Sequence, residues 1–226
     1  MYKKNKKKNN KVLKKESKNW LIKNFPFLMF GAYILWAIYF AIDPVDRAVW
    51  WAENIPVMFA AGIIMLTYKK FRFSNTSYFL MFSFLMYHTY GGHYTFEKAP
   101  FETANNFLNQ SGCSLFSHGV EGGNSFDRVG HFMIGIFAYP LAELVYRKKW
   151  VSNIWTAILF GIFALGFWGS LYEIIEMVYA VQEGGSAGAA FLGSQGDIWD
   201  AQKDMALDIL GATLISVLFW WNYKKK

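Results

Sequence analysis

The chain has 226 residues, of which 54% are hydrophobic and 20% aromatic against 17% charged, with a formal net charge of +7. That composition excludes an ordinary water-soluble domain and points to a membrane protein. The single cysteine, Cys113, excludes an intrachain disulfide and any thiolate metal cluster.

Residues 1–23 carry ten lysines and read as a basic cytoplasmic tail able to touch anionic lipid headgroups. They lack the aromatic and glycine interleaving of a base-binding surface, so no nucleic-acid partner is expected. No short apolar region with a small-residue cleavage site follows, which predicts a retained first helix. Residues 24–226 read as one all-α polytopic transmembrane domain of six helices. Apolar runs near the ~20 residues needed to cross ~30 Å of hydrocarbon lie at about 25–42, 50–68, 76–95, 128–146, 153–178 and 204–223. His88, Gly91, Gly92, His93 and His131 interrupt the third and fourth.

Charge sets the expected orientation. With six spans and a cytoplasmic amino-terminus, one side holds the tail, Lys69, Lys70 and Arg72, then Arg147 to Lys149 and Lys224 to Lys226, which together make 19 of the 23 basic residues. Arg47, Lys98, Arg128 and Lys203 fall on the other side. The positive-inside tendency therefore predicts N-in, C-in. Acidic residues sort the opposite way, except Glu16 and Glu143, the latter one turn before Arg147 where an i,i+4 pair can neutralise it. Two long outer loops, one before Asp127 and one from Gly184 to Gly196, are candidate lids.

Counting the helix rise from the basic ends places His93, His131, Glu173, Glu176, Asp208 and His88 in one outer layer. In "DRVGHF", Asp127 and His131 are i,i+4; in "LYEIIEM", Glu173 and Glu176 are i,i+3; Asp200, Asp204 and Asp208 form a ladder of i,i+4 steps. An Asp at the centre of a membrane helix costs about 2.5–3.5 kcal/mol, less near an interface. Compensation can come from a divalent cation, from protonation or from charge pairing, and the four cationic side chains on that face are fewer than the carboxylates. Carboxylate and imidazole together suit Zn, Mg, Mn or Fe. The candidate metal ligands are His93, Asp127, His131, Glu176 and Asp204, and the candidate catalytic acids or bases are Glu173 and Asp208. Against this stand plainer roles: helix capping for Asp127 and Asp204, an interior hydrogen bond for His88, an interfacial place for His93 and an exposed loop place for His118.

The motifs "GGHYTFEKAPF", "DRVGHFMIG", "LYEIIEM" and "GSQGDIWDAQKDMALDILGA" resemble the YjdF-like family of small polytopic bacterial inner-membrane proteins, which has no established activity. The second half also resembles VanZ-like membrane proteins through Asp127, His131, Phe132, Asp204 and Gly211, with Asp208 where that pattern has Asn. The resemblance implies a multi-pass protein of the bacterial cytoplasmic membrane and supplies no substrate. The residues favour a metal-dependent hydrolase or transferase, or a lipid-handling protein, acting on a lipid headgroup or envelope substrate at the outer leaflet. The alternatives are a non-enzymatic envelope accessory protein and a small-solute or ion transporter, the latter disfavoured because ionisable residues occupy only the outer part of the bundle.

Overall fold

The computed structural model describes residues 2–110, 112–117, 123–184 and 194–224, with side chains from Asn19 onward except those of Asn109 and Glu183. His118 and most of the glycine-rich loop lie outside these residues. All secondary structure among the described residues is helical: α1 (Tyr2–Phe40), α2 (Arg47–Leu66), α3 (Asn75–His93), α4 (Glu102–Gln110), α5 (Phe126–Ile134), a 3-10 turn (Gly135–Phe137), α6 (Ala138–Arg147), α7 (Ile154–Glu183) and α8 (Asp200–Tyr223). The basic amino-terminal segment is continuous with the first apolar run as one helix.

Five stretches are long and apolar enough to cross a membrane: Asn19–Phe40, Arg47–Leu66, Phe126–Arg147, Ile154–Gln182 and Asp200–Tyr223. The expected span at 76–95 is helix α3, which falls outside these five. Its polar side chains are turned inward, with Ser77 and Thr89 fully buried, because it is the inner helix of its half and packs against α1, α2 and α5. Apolar side chains on α7, such as Phe163, Phe167 and Val181, face outward instead, as lipid contact requires.

Two apolar cores hold the bundle. One joins α1, α2 and α3 through Tyr33, Val57, Ala61, Tyr78, Phe82 and Leu85. The other joins α6, α7 and α8 through Tyr139, Ala142, Ala157, Phe219 and Tyr223. Ile134 and Phe137, at the α5–α6 joint, pack on the first core and on the Ala138, Leu165 and Ala212 cluster, so this joint links the halves. Pro140 explains the 3-10 turn there: it lacks the N–H that would bond Ile136, and its ring crowds that carbonyl.

Pro26 frees the carbonyl of Ile22 in the same way, and here the structure uses it. Arg72 Nη2 and Asn75 Nδ2 donate to Ile22 O at 3.0 and 2.9 Å. At this basic end, the fully buried Glu143 accepts from Ser74 N and Ser74 Oγ at 2.8 and 2.9 Å, and from Ser77 Oγ and Arg147 Nη1. The i,i+4 pair expected from sequence therefore also caps the amino-terminus of α3, where the helix dipole favours a carboxylate.

Candidate functional site

The opposite, acidic end is organised by α5 and α8, which run parallel. Successive turns of α8 present Asp200, Asp204 and Asp208 to α5, whose Arg128 and His131 are three residues apart on a common face. Close approach needs small residues. A Cβ on Gly211 would overlap the Phe132 carbonyl, and one on Gly135 would overlap the backbone of Gly211 and Ala212.

Arg128 takes the upper acids. It is the largest fully buried side chain, with Nη2 2.9 Å from Asp197 Oδ2 and 2.7 Å from Asp200 Oδ1, and Nη1 2.8 Å from Asp204 Oδ1. Nη1 also donates to Asp200 O at 2.8 Å. Lys203 Nζ adds a 2.6 Å contact to Asp197 Oδ2. One guanidinium thus touches three carboxylates, and with Lys203 it supplies two positive charges against their three. Asp204 is buried against Arg128 and leaves the capping role unfilled; Asp127 lies in the first turn of α5, after Ser125.

Burial raises the pKa of the Asp197 carboxyl, but the Lys203 hydrogen bond, the Trp199 N–H and the charges of Lys203 and Arg128 outweigh it and hold it below the usual range. Because the folded value lies below the unfolded one, this contribution to stability is complete above about pH 4 and is lost as pH falls through the folded value. In a melting series in detergent, Asp197→Asn should be less stable than wild type at pH 7, and the gap should narrow below pH ~4. A gap that stays constant across the series would refute this assignment.

His131 takes the lower acid. Its Nδ1 lies 3.1 Å from Asp208 Oδ1, and the fully buried Asp208 fits because Gly169 has no Cβ to collide with its second oxygen. The ring is thereby fixed with Nε2 toward Glu173 Oε1 at 3.7 Å and Asp127 Oδ2 at 3.9 Å. Both separations exceed a hydrogen bond, and Glu173 Oε1, on a side chain 7% exposed, has no hydrogen-bond partner among the described residues. One ligand atom each from Asp127, His131 and Asp204 lies within 4.8 Å of the others. Glu176 stands within electrostatic range of Asp127, Glu173 and His131.

His93 sits elsewhere, with Nδ1 3.0 Å from Phe40 O and its ring against Phe40 and Tyr94. His88, by contrast, belongs to the polar layer: its Nε2 is 3.7 Å from Glu53 Oε2. Glu53 is a site residue that sequence reading passed over. The available signal was an acid, next to Asn54, inside an apolar span.

The family model for "Predicted membrane protein (DUF2238)" matches residues 25–225. "Inner membrane protein YjdF" of Escherichia coli (strain K12) is 32% identical over 184 residues, covering 80% of this chain and 82% of the relative. No solved structure shows a significant match. The apolar helices and these two matches agree, and the chain belongs to the YjdF-like family of multi-pass inner-membrane proteins, DUF2238.

Proposed function

We propose that the protein crosses the membrane six times with both termini cytoplasmic, and that its acidic end is a divalent-cation centre near the outer leaflet. There it would serve a metal-dependent hydrolase or transferase acting on a lipid headgroup or another envelope substrate. The six-span reading is supported by α3, whose 19 residues reach about 28 Å at ~1.5 Å each, and by the basic residues gathered at one end.

One observation carries the cation reading: the His131 imidazole is anchored through Nδ1 by Asp208, while Nε2 looks across gaps of 3.7 and 3.9 Å at two carboxylates. A carboxylate behind one nitrogen and open acceptors before the other is the arrangement that orients a metal-binding histidine. Ligand bonds of about 2.0–2.2 Å to nitrogen and oxygen fit gaps of this width. His131, Asp127 and Asp204 are the proposed first ligands, with Glu176 and Glu173 beside them, and the donor set fits Zn, Mn or Fe, or the harder Mg. Asp208 positions the imidazole, and as acceptor of an Nδ1 proton it selects the tautomer whose Nε2 lone pair faces the gap.

When bound, such an ion polarises a phosphoryl or acyl oxygen and acidifies its water. Glu173, the carboxylate nearest to Nε2, is placed to carry the proton. A headgroup can reach this end without leaving the bilayer plane.

Elemental analysis of detergent-purified protein should find a stoichiometric divalent cation, and a chelator should lower the melting temperature. An ion at 100 times its Kd stabilises by about 2.7 kcal/mol, and His131→Ala should lose both the ion and the chelator response. Absence of a stoichiometric ion, with melting indifferent to chelator, would overturn the proposal.

A further inference from the structure

The apolar run Phe126–Arg147 is one candidate span, but its two halves have different neighbours. The inner half, α6, packs along α7, so closely that a Cβ on Gly161 would stand 2.5 Å from the Ala138 carbonyl oxygen. The outer half, α5, makes no comparable contact with α7, although both pack on α8. The divergence starts at the 3-10 turn Gly135–Phe137, where Pro140 interrupts the helical ladder. From that turn toward the acidic end, α5 and α7 are the walls of a groove whose floor is α8.

The proposed cation centre lies in this groove. His131 reaches from α5 toward Glu173 on α7 across 3.7 Å, and its ring centroid is 6.4 Å from that of Tyr172. The buried Glu173 Oε1 borders this gap without a hydrogen-bond partner among the described residues.

Among the described residues, the other approaches are filled. Toward α3, Tyr87 stacks on Phe126 at 4.3 Å and donates to its carbonyl at 2.6 Å. At the outer ends of α5 and α8, Asn124 N donates to Gln195 Oε1 at 2.8 Å, and Gln195 Nε2 donates to Asn124 O at 3.0 Å. The α5–α8 interface beneath is occupied by Arg128 and its carboxylates. The open flank lies along α7. Tyr172 is 38% exposed, and Trp168 and Ile175, one turn to either side on the same face, are more than half exposed. The Asp127 side chain is 29% exposed and more open than those of Glu173, Asp204 and Asp208.

Depth and polarity select the occupant. Glu173 lies about 29 Å along α7 from Ile154 at ~1.5 Å per residue, which is the outer edge of a ~30 Å hydrocarbon core. A polar pocket at that level, opening sideways onto apolar side chains, suits a molecule with a charged head and hydrocarbon tails. Arg128 and Lys203 are engaged with Asp197, Asp200 and Asp204. An anionic head is therefore accommodated through the ion, by a phosphoryl oxygen.

Resting on the cation reading above, we infer that the ligand is a phospholipid of the outer leaflet that enters sideways between α5 and α7. Its phosphate meets the ion at Asp127, His131 and Asp204, and its acyl chains run inward past Trp168. Tyr172 stands between these two regions and is the side chain that the headgroup passes.

A benzophenone amino acid in place of Trp168 tests this, in the whole chain reconstituted into vesicles of phosphatidylethanolamine and phosphatidylglycerol. The same probe in place of Phe163 is the control, because that residue is also exposed on α7 but points away from the groove face. After illumination, phospholipid adducts at Trp168 should exceed those at Phe163, and a chelator or His131→Ala should lower them to the Phe163 level. Equal yields at the two positions would overturn the inference. An excess at Trp168 that neither chelator nor His131→Ala changes would also overturn it, since apolar contact alone would then hold the lipid. Elemental analysis of the same samples separates the two readings: an ion without a lipid excess sinks the lipid alone, and absence of an ion sinks both. The chelator comparison decides the matter even if the His131 variant fails to fold.

Discussion

Methionine in place of Arg128 is expected to destabilise the fold by about 3–5 kcal/mol, the usual cost of removing one member of a buried ion cluster. Asp197, Asp200 and Asp204 are each less than a tenth exposed, and the guanidinium reaches all three at 2.7–2.9 Å. Without it they must be protonated, hydrated or expelled. Arg128→Lys should recover only part of the loss, because one ammonium keeps the charge but cannot spread donors over three carboxylates. Adding Asp200→Asn and Asp204→Asn to the methionine variant should restore stability relative to that variant, since the unpaired charges leave with the side chains that bore them. Melting followed by tryptophan fluorescence in detergent reads all of these, and a methionine variant as stable as wild type would refute the cluster's role.

Gly211→Val should be the next most damaging change. Its Cβ would fall on the Phe132 carbonyl oxygen, a backbone atom that cannot rotate away. The helices must separate, at a cost of about 1–3 kcal/mol for overpacking. Because α5 and α8 carry Asp127, His131, Asp204 and Asp208, their separation should also weaken the proposed cation binding. Gly31→Val is the control: a Cβ there meets nothing within 4 Å. Equal melting temperatures and metal contents for the two variants would show that the close approach of the helices is not needed.

Much of this was legible in the chain. The helical class and the spans ending in Leu66, Arg147 and Tyr223 follow from apolar length, and four-residue spacing puts Asp127 with His131, and Asp200 with Asp204 and Asp208, on common helix faces. Spacing gives a side chain's face but not its partner. Arg128 therefore read as one of four loose cations, when it is the buried centre of three carboxylates. The ladder read as one unit, but it divides between Arg128 and His131 because those side chains stand on successive turns of α5. His93 and His88 are five residues apart and depth put both in the layer, whereas in the structure His93 lies 3.0 Å from Phe40 O and His88 faces Glu53. Only the α2–α3 contact at Gly92 shows that His88 meets Glu53. Glu53 goes unnoticed in the sequence because a count along one helix does not register what a neighbouring helix brings to the same level.

The helix of the first half that carries the most buried polar groups is also its hub. α3 packs on both α1 and α2, which make no comparable contact with each other, although consecutive elements are neighbours about two-thirds of the time. Alone in hydrocarbon, α3 would leave Ser77 and His88 without the carboxylates of Glu143 and Glu53 that they face in the bundle, at the cost of burying a polar group unpartnered. On the six-span reading, the two greasier segments that precede α3 in the chain are its enclosure, and this half is complete only when all three helices are present.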